Sequence, residues 1–127
     1  MIYLDTSAFL KFVWEENQSA ALLDAIADQP TISSALLAVE ARRSTLRVGA
    51  VLLPRTDLLL GEVTQVDLSP AVLESAGRMP DPHLRTLDAI HLATALLVRE
   101  ELDVLLSYDD RLLAAADAHG IPAAAPA

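Results

Sequence analysis

A chain of 127 residues that is 53% hydrophobic but only 4% aromatic needs an aliphatic core, and its length fits one domain, expected to fill residues 1–127. It has no cysteine and a formal net charge of −9, which excludes disulfides and thiolate metal sites and argues against a general nucleic-acid-binding surface. No run approaches the roughly 18 uncharged apolar residues of a membrane helix, and the N-terminus opens on a strand pattern without a basic leader, so a cytoplasmic protein with no membrane span and no signal peptide is expected.

Ile2 to Asp5 reads as a strand, a β-type apolar run that ends in the turn formers Asp-Thr-Ser. Helix follows from Ser7, pauses near Glu15 to Asn17 and resumes over Gln18 to Ala27. Pro30 to Ser33 is a short strand, with Ser33 or Ser34 as the cap of the next helix. Ala35 to Val48 has helical spacing in Leu36, Val39, Arg43 and Leu46, and Gly49 stops it. A short helix is expected over Thr56 to Gly61, a strand over Val63 to Leu68, and a helix from Ser69-Pro70 toward Gly77. Pro80-Asp81-Pro82 is a loop, after which the longest helix begins at Thr86 and runs to about Glu101. Val104 to Ser107 is a strand too apolar to be solvated on either face. Asp109 caps a last helix ending at His119-Gly120, and Ile121-Pro122 adds an edge strand.

Alternating strands and helices, with apolar strands, predict an α/β fold: a central parallel sheet flanked by helices on both sides. Such sheets bind ligands beyond the carboxyl ends of their strands. Asp5 and Asp109 fall there, while Glu40 and Asp88 sit in early turns of helices that can enter from the same edge. A carboxylate at the margin of a buried segment costs several kcal/mol unless it is paired or binds a cation. Each of the four also has an ordinary explanation: Asp5 and Asp109 as helix caps, Asp88 as a first-turn acid, Glu40 as the ion-pair partner of Arg43. Glu15, Glu16, Asp24, Asp28, Glu100, Glu101 and Asp103 lie in polar or boundary stretches and read as solvated faces. Asp110 adjoins Asp109 and stands as its substitute.

Four acids without cysteine or a histidine cluster point to a hard cation such as Mg²⁺ or Mn²⁺. Two unit charges 4 Å apart repel by about 4 kcal/mol at an effective dielectric of 20, so converging carboxylates need a cation or retained protons. A metal bridge or a local basic patch would then be the route to a nucleic acid. Arg42, Arg43, Arg85 and Arg111 lie near these acids in sequence and could contact phosphates or form surface ion pairs. His91 shares a helix face with Asp88 and reads as a packing residue in preference to a ligand.

The combination Tyr3-Leu4-Asp5-Thr6-Ser7, Glu40 within Ala-Val-Glu-Ala, Leu87-Asp88-Ala89-Ile90-His91-Leu92-Ala93-Thr94-Ala95 and Ser107-Tyr108-Asp109 resembles the PIN-domain ribonucleases, and among them the toxins of VapBC toxin–antitoxin pairs. The resemblance spans nearly the whole chain; Ser107 stands where members often carry threonine and keeps the hydroxyl. It implies a single PIN-like domain and a Mg²⁺-dependent endoribonuclease, Mn²⁺ serving as a substitute. Asp5 and Asp88 would be the core metal ligands, Glu40 and Asp109 would complete the catalytic site directly or through water, and Thr6 and Ser107 would orient carboxylates or water. It further implies in-line hydrolysis leaving a 5′-phosphate, a homodimer, and a VapB-like antitoxin that obstructs the acidic pocket. Ala8 to Trp14 and Ala20 to Ile26 offer apolar helices for an antitoxin helix to contact.

Two other magnesium-dependent α/β classes fit less well. A phosphotransfer receiver would need an acidic pair after its first strand and a lysine after its last, but Thr6-Ser7 follow Asp5 and the only lysine is Lys11. A phosphatase of the haloacid-dehalogenase type would want Asp-x-Asp where Ser7 occupies the second acidic position.

Overall fold

Successive residues of a strand point to opposite faces of its sheet, and in the computed structural model, which describes residues 1–127, both faces of the first strand are buried. Ile2 and Leu4 of this strand, β1 (Ile2–Leu4), pack with Leu106 on one face; Tyr3 packs with Leu105 on the other. The elements after it are α1 (Thr6–Val13), α2 (Ser19–Ile26), β2 (Thr31–Ser34), α3 (Leu36–Val48), α4 (Leu53–Leu60) and β3 (Thr64–Val66). They continue with α5 (Pro70–Gly77), α6 (Thr86–Leu97), β4 (Val104–Leu106), α7 (Asp110–Ala118) and β5 (Ala123–Ala124).

All strand pairs are parallel, in the order β3-β2-β1-β4-β5. Helices cover both faces: α1 and α2 join Ile2, Leu4 and Leu106 through Ala8 and Leu22, whereas α6 and α7 join Tyr3 and Leu105 through Leu92, Ala95, Leu112 and Ala116. A further apolar cluster of Phe9, Val13, Leu37, Ala41 and Leu60 ties α1, α3 and α4 together. Because the chain builds outward from β1 through β2 to β3 and then returns to the other side of β1, the strand order reverses between β1 and β4. A crevice opens at the carboxyl ends of strands at such a reversal.

Several boundaries differ from the sequence reading for identifiable reasons. The edge strand is Ala123–Ala124, not Ile121-Pro122. Ile121 is a buried core residue whose N–H donates to the Ala116 carbonyl behind the left-handed Gly120 (φ 78°). Strand pairing then begins where the Pro122 carbonyl accepts the Leu105 N–H. Helix α4 starts at Leu53, before Thr56, with Pro54 in its first turn where a missing N–H costs nothing. Helix α6 ends at Leu97 and a 3₁₀ turn over Arg99–Glu101 replaces the expected last turn. The chain's terminal ammonium bonds the Glu101 carbonyl of that turn and Asp103 just beyond it. Strand β3 is shorter than Val63 to Leu68 and exposes Thr64 and Gln65, as an edge strand can. Of the two candidate caps, Ser34 accepts the Leu36 N–H at 3.1 Å, while Ser33 is buried and donates to the Leu4 carbonyl.

Candidate active site

The pairing of Leu4 with Leu106 sets Asp5 beside Ser107, one residue past the end of each strand. Asp5 caps α1, accepting the Ala8 N–H at 2.9 Å, and its main-chain N–H donates to the Leu106 carbonyl. Ser7 Oγ donates toward both carboxylate oxygens and Ser107 Oγ donates to Oδ2. Those two hydroxyls also accept the N–H groups of Tyr108 and Asp109, which fastens the β4–α7 turn to the β1–α1 turn. Asp5 is only 3% exposed. Burial raises its pKa above the ordinary aspartate value, although the Ser107, Ala8 and Ser7 donors favour the charged form.

Glu40 reaches this edge from the second turn of α3. Thr6 Oγ1 donates to Glu40 Oε1 at 2.7 Å, and His91 Nε2 lies 2.8 Å from the same oxygen. Neither bond uses Oε2. Burial opposes the Glu40 charge, yet the His91 and Thr6 hydrogen bonds hold the pKa below the usual glutamate value. His91 is buried in α6 and its other nitrogen, Nδ1, lies 2.8 Å from the Tyr3 hydroxyl.

Asp88, in the first turn of α6, and Asp109, capping α7, face each other across an open cleft of about 220 Å³ lined by Glu40, Arg85, Thr86, Leu87, Asp88 and Asp109. Asp109 Oδ1 accepts the Arg111 and Leu112 N–H groups, and Oδ2 lies 3.9 Å from Arg85 Nη2. Asp88 has no hydrogen bond among the influences on its charge. Burial, then repulsion by Asp109 and by Asp5, raises its pKa, with Arg85 opposing.

The four expected acids therefore gather at one sheet edge. Glu40, Asp88 and Asp109 line the cleft, the two aspartates as its rim. Asp5 does not line it, being buried at the strand end as the floor of the site, close enough for its charge to act on Asp88. Asp110 is exposed on the first turn of α7, outside the cleft lining. Among the arginines only Arg85 lines the cleft; Arg42 pairs with Asp57 at 2.9 Å and Arg111 borders a separate hollow. Sequence reasoning did not single out Ser7 or Tyr3. A turn-forming serine carries no mark of its distant partner, and Tyr3 meets His91 across 88 positions of chain.

No group of three or more His, Cys, Asp or Glu side chains stands close enough to form a closed metal cage. The donor chemistry nonetheless fits a hard cation that keeps part of its water shell: oxygen donors only at the cleft, mutual repulsion between Asp88 and Asp109, and an unbonded oxygen on Glu40. Glu40, Asp88, Asp109 and, from the floor, Asp5 are the residues that could hold it.

The comparisons with known proteins agree with this fold. The PIN-domain family model matches residues 2–118, and the chain belongs to the PIN-domain family. Within it the chain sides with the VapC ribonucleases, being 38% identical to ribonuclease VapC35 of Mycobacterium tuberculosis over 99% of this chain and 97% of that relative. The fold matches that of Mycobacterium tuberculosis VapC20, a sarcin-ricin loop cleaving toxin, with a TM-score of 0.76 at 15% identity, covering 99% of this chain and 100% of that one. It also matches a chain of a Klebsiella pneumoniae toxin–antitoxin complex, with a TM-score of 0.77 at 21% identity, covering 100% of this chain and 98% of that one. This membership removes the receiver and phosphatase alternatives. PIN-domain ribonucleases are metal-dependent enzymes. No helix is long and apolar enough to cross a membrane.

Proposed function

We propose that residues 1–127 form one PIN domain that acts in the cytoplasm as the toxin of a type II toxin–antitoxin pair, a Mg²⁺-dependent endoribonuclease for which Mn²⁺ can substitute. The observation that carries this reading is the meeting of Asp5, Glu40, Asp88 and Asp109 at the β1/β4 reversal in a chain 38% identical to a named VapC ribonuclease. A bound divalent ion would supply Lewis acidity at the scissile phosphate and neutralise the charge that develops there.

The chain's own groups set up that chemistry. Asp5 is held by hydroxyl and main-chain donors, so its carboxylate is oriented before any ligand arrives. Asp88 and Asp109 supply repelling charges at the rim, which favours a cation and disfavours an empty cleft. Glu40 offers Oε2 toward the attacking water, and Arg85, 69% exposed, is placed to meet a phosphate of the RNA strand.

The partner reading has support of its own. An apolar hollow of about 240 Å³ between α1, α2 and α4, lined by Phe9, Phe12, Leu23, Ile26 and Val63, suits an apolar helix of a VapB-like antitoxin. The similar Klebsiella pneumoniae chain is from a toxin–antitoxin complex. A basic segment of such a partner would complement the acidic cleft, and a homodimer is the assembly the family suggests.

The test is to incubate the purified protein with total RNA in Mg²⁺, Mn²⁺ or chelator and to map the new ends. Divalent-dependent cuts that Asp5→Asn and Asp88→Asn abolish are expected. Folded variants that cleave as well as the native chain would overturn the assignment.

A further inference from the structure

We propose that Tyr3 and His91 form a fixed hydrogen-bond relay that positions Glu40, with the Tyr3 hydroxyl donating to His91 Nδ1 and His91 Nε2–H donating to Glu40 Oε1. The proposal rests on Glu40 being an acid of the metal site. The sequence alone makes His91 a packing residue; its surroundings give it a directed task.

The direction follows from counting donors and acceptors at both ends. Tyr3 is completely buried, and His91 Nδ1 lies 2.8 Å from its hydroxyl, with the Ser33 and Thr94 side chains also in reach. A buried hydroxyl proton left without an acceptor is costly. A bare Nδ1 takes the phenolic proton directly, whereas a protonated Nδ1 would face the hydroxyl as a second donor and turn that proton toward Ser33 or Thr94. At the far end a carboxylate can only accept, so Nε2, 2.8 Å from Oε1, must carry the hydrogen. One tautomer serves both ends. Burial also pushes the Tyr3 phenol far above its ordinary pKa, so the donor keeps its proton.

The consequence appears at the carboxylate. Thr6 of α1 and His91 of α6, themselves 3.4 Å apart, both bond Oε1, so Glu40 cannot rotate without losing two donors. Oε2 is thereby the oxygen left for the cleft. Partners that orient a metal-site residue from behind typically contribute about 10–100-fold in metal affinity or activity. Tyr3 belongs to β1 and His91 to α6, so the relay also locks the central strand to the helix that carries Asp88.

Tyr3→Phe removes one oxygen and keeps the ring that packs in the core, so the variant should remain folded by circular dichroism. The nitrogen NMR signals of His91 in the metal-free native protein should show a bare Nδ1 and a protonated Nε2. Tyr3→Phe should shift the Nδ1 signal while Nε2 stays protonated against Glu40, and should weaken Mn²⁺ binding about tenfold, lowering kcat with KM for RNA unchanged. His91→Gln, which keeps an N–H donor, should retain more Mn²⁺ affinity than His91→Leu. A protonated Nδ1 in the native protein, or a Tyr3→Phe protein with native Mn²⁺ affinity, overturns the relay. Glu40→Gln run alongside separates the two readings. If Glu40→Gln weakens Mn²⁺ binding and Tyr3→Phe does not, the relay alone is wrong. If both are silent, Glu40 is not a site acid and the relay falls with it.

Discussion

The floor and the rim of the cleft treat the same functional group in opposite ways. On the floor, Asp5 has its charge distributed over Ser7, Ser107 and the Ala8 N–H. At the rim, Asp88 takes no such donor and feels Asp109 as its principal charged neighbour. Both carboxyls have raised pKa values with burial as the leading cause, but only Asp5 has donors that favour its charged form. The floor is thus organised by the protein, whereas the rim is completed by whatever cation arrives. A site built this way can hold one ligand rigidly and still let the ion exchange water with substrate oxygens.

The largest test of this contrast is Asp5→Asn. Asparagine caps a helix as well as aspartate does, so the fold should survive while the oriented charge is lost. If the ion provides several kcal/mol of transition-state stabilisation, cleavage should fall by on the order of 10²-fold or more, at about 1.4 kcal/mol per tenfold. Ser107→Ala, which removes one Asp5 donor, should cost about tenfold, as loss of an outer hydrogen-bond partner does. Equal rates for Asp5→Asn and the native chain in single-turnover cleavage would mean the floor carries no catalytic charge.

Next in size is the stability that a divalent ion confers. An ion at 100 times its dissociation constant should stabilise the fold by about 2.7 kcal/mol in thermal melts. The pH dependence separates floor and rim from Glu40. Asp5 and Asp88 have folded-state pKa values above the ordinary 3.8, so their protonated forms favour folding. Their contribution is full below that value and is lost as pH rises through the raised pKa values. Glu40 is shifted the other way: its contribution is present above the ordinary 4.5 and is lost as pH falls through its lowered pKa. In chelator the native chain should therefore lose stability as pH climbs above about 4, Asp88→Asn should flatten that loss, and added Mg²⁺ should reverse it because the ligands must be deprotonated to bind. A chelated protein that gains stability over the same range would contradict the repulsion at the rim.

Much of the site could be read before the fold was known, and the reason is geometric. Asp5 and Asp109 sit where apolar strand runs stop, so an acid there must lie at a strand's carboxyl end. Asp88 follows from the spacing of α6. The strand order could not be read, because nothing in Ile2–Leu4 says that Val104–Leu106 will be its neighbour. For the same reason periodicity could not pair Asp5 and Glu40 with their partners: the family resemblance alone pointed to Ser107, 102 positions from Asp5, and to Thr6, while His91, 51 positions from Glu40, read as packing. Periodicity also failed at β5, where Ile121 looked like a strand residue because it is apolar, yet serves the core.

Asp109 against Asp110 was the choice that sequence left open, and the structure turns it into a measurable difference. Asp109 caps α7 with two N–H groups and lines the cleft, while Asp110 is exposed. Asp109→Ala should cost about 1 kcal/mol of stability and reduce cleavage, with Asp110→Ala close to native in both. A reversed pattern in paired melts and cleavage assays would move the fourth acid to Asp110.

The smallest expected effect belongs to the one cation of the rim. Arg85 is 69% exposed and its guanidinium lies 3.9 Å from Asp109, too far for a strong bond. The pair should contribute almost nothing to stability, since exposed ion pairs are worth at most about 1 kcal/mol. Its use would lie in the RNA complex, where a phosphate can replace Asp109 as its partner. Arg85→Ala should then raise KM for RNA by roughly fivefold, the equivalent of about 1 kcal/mol, and leave the metal-dependent melt unchanged. The effect should shrink as salt is raised, because screening weakens contacts between exposed charges. A salt-independent fall in kcat with KM untouched would instead place Arg85 among the groups that hold the acids, on the same footing as the hydroxyls of the floor.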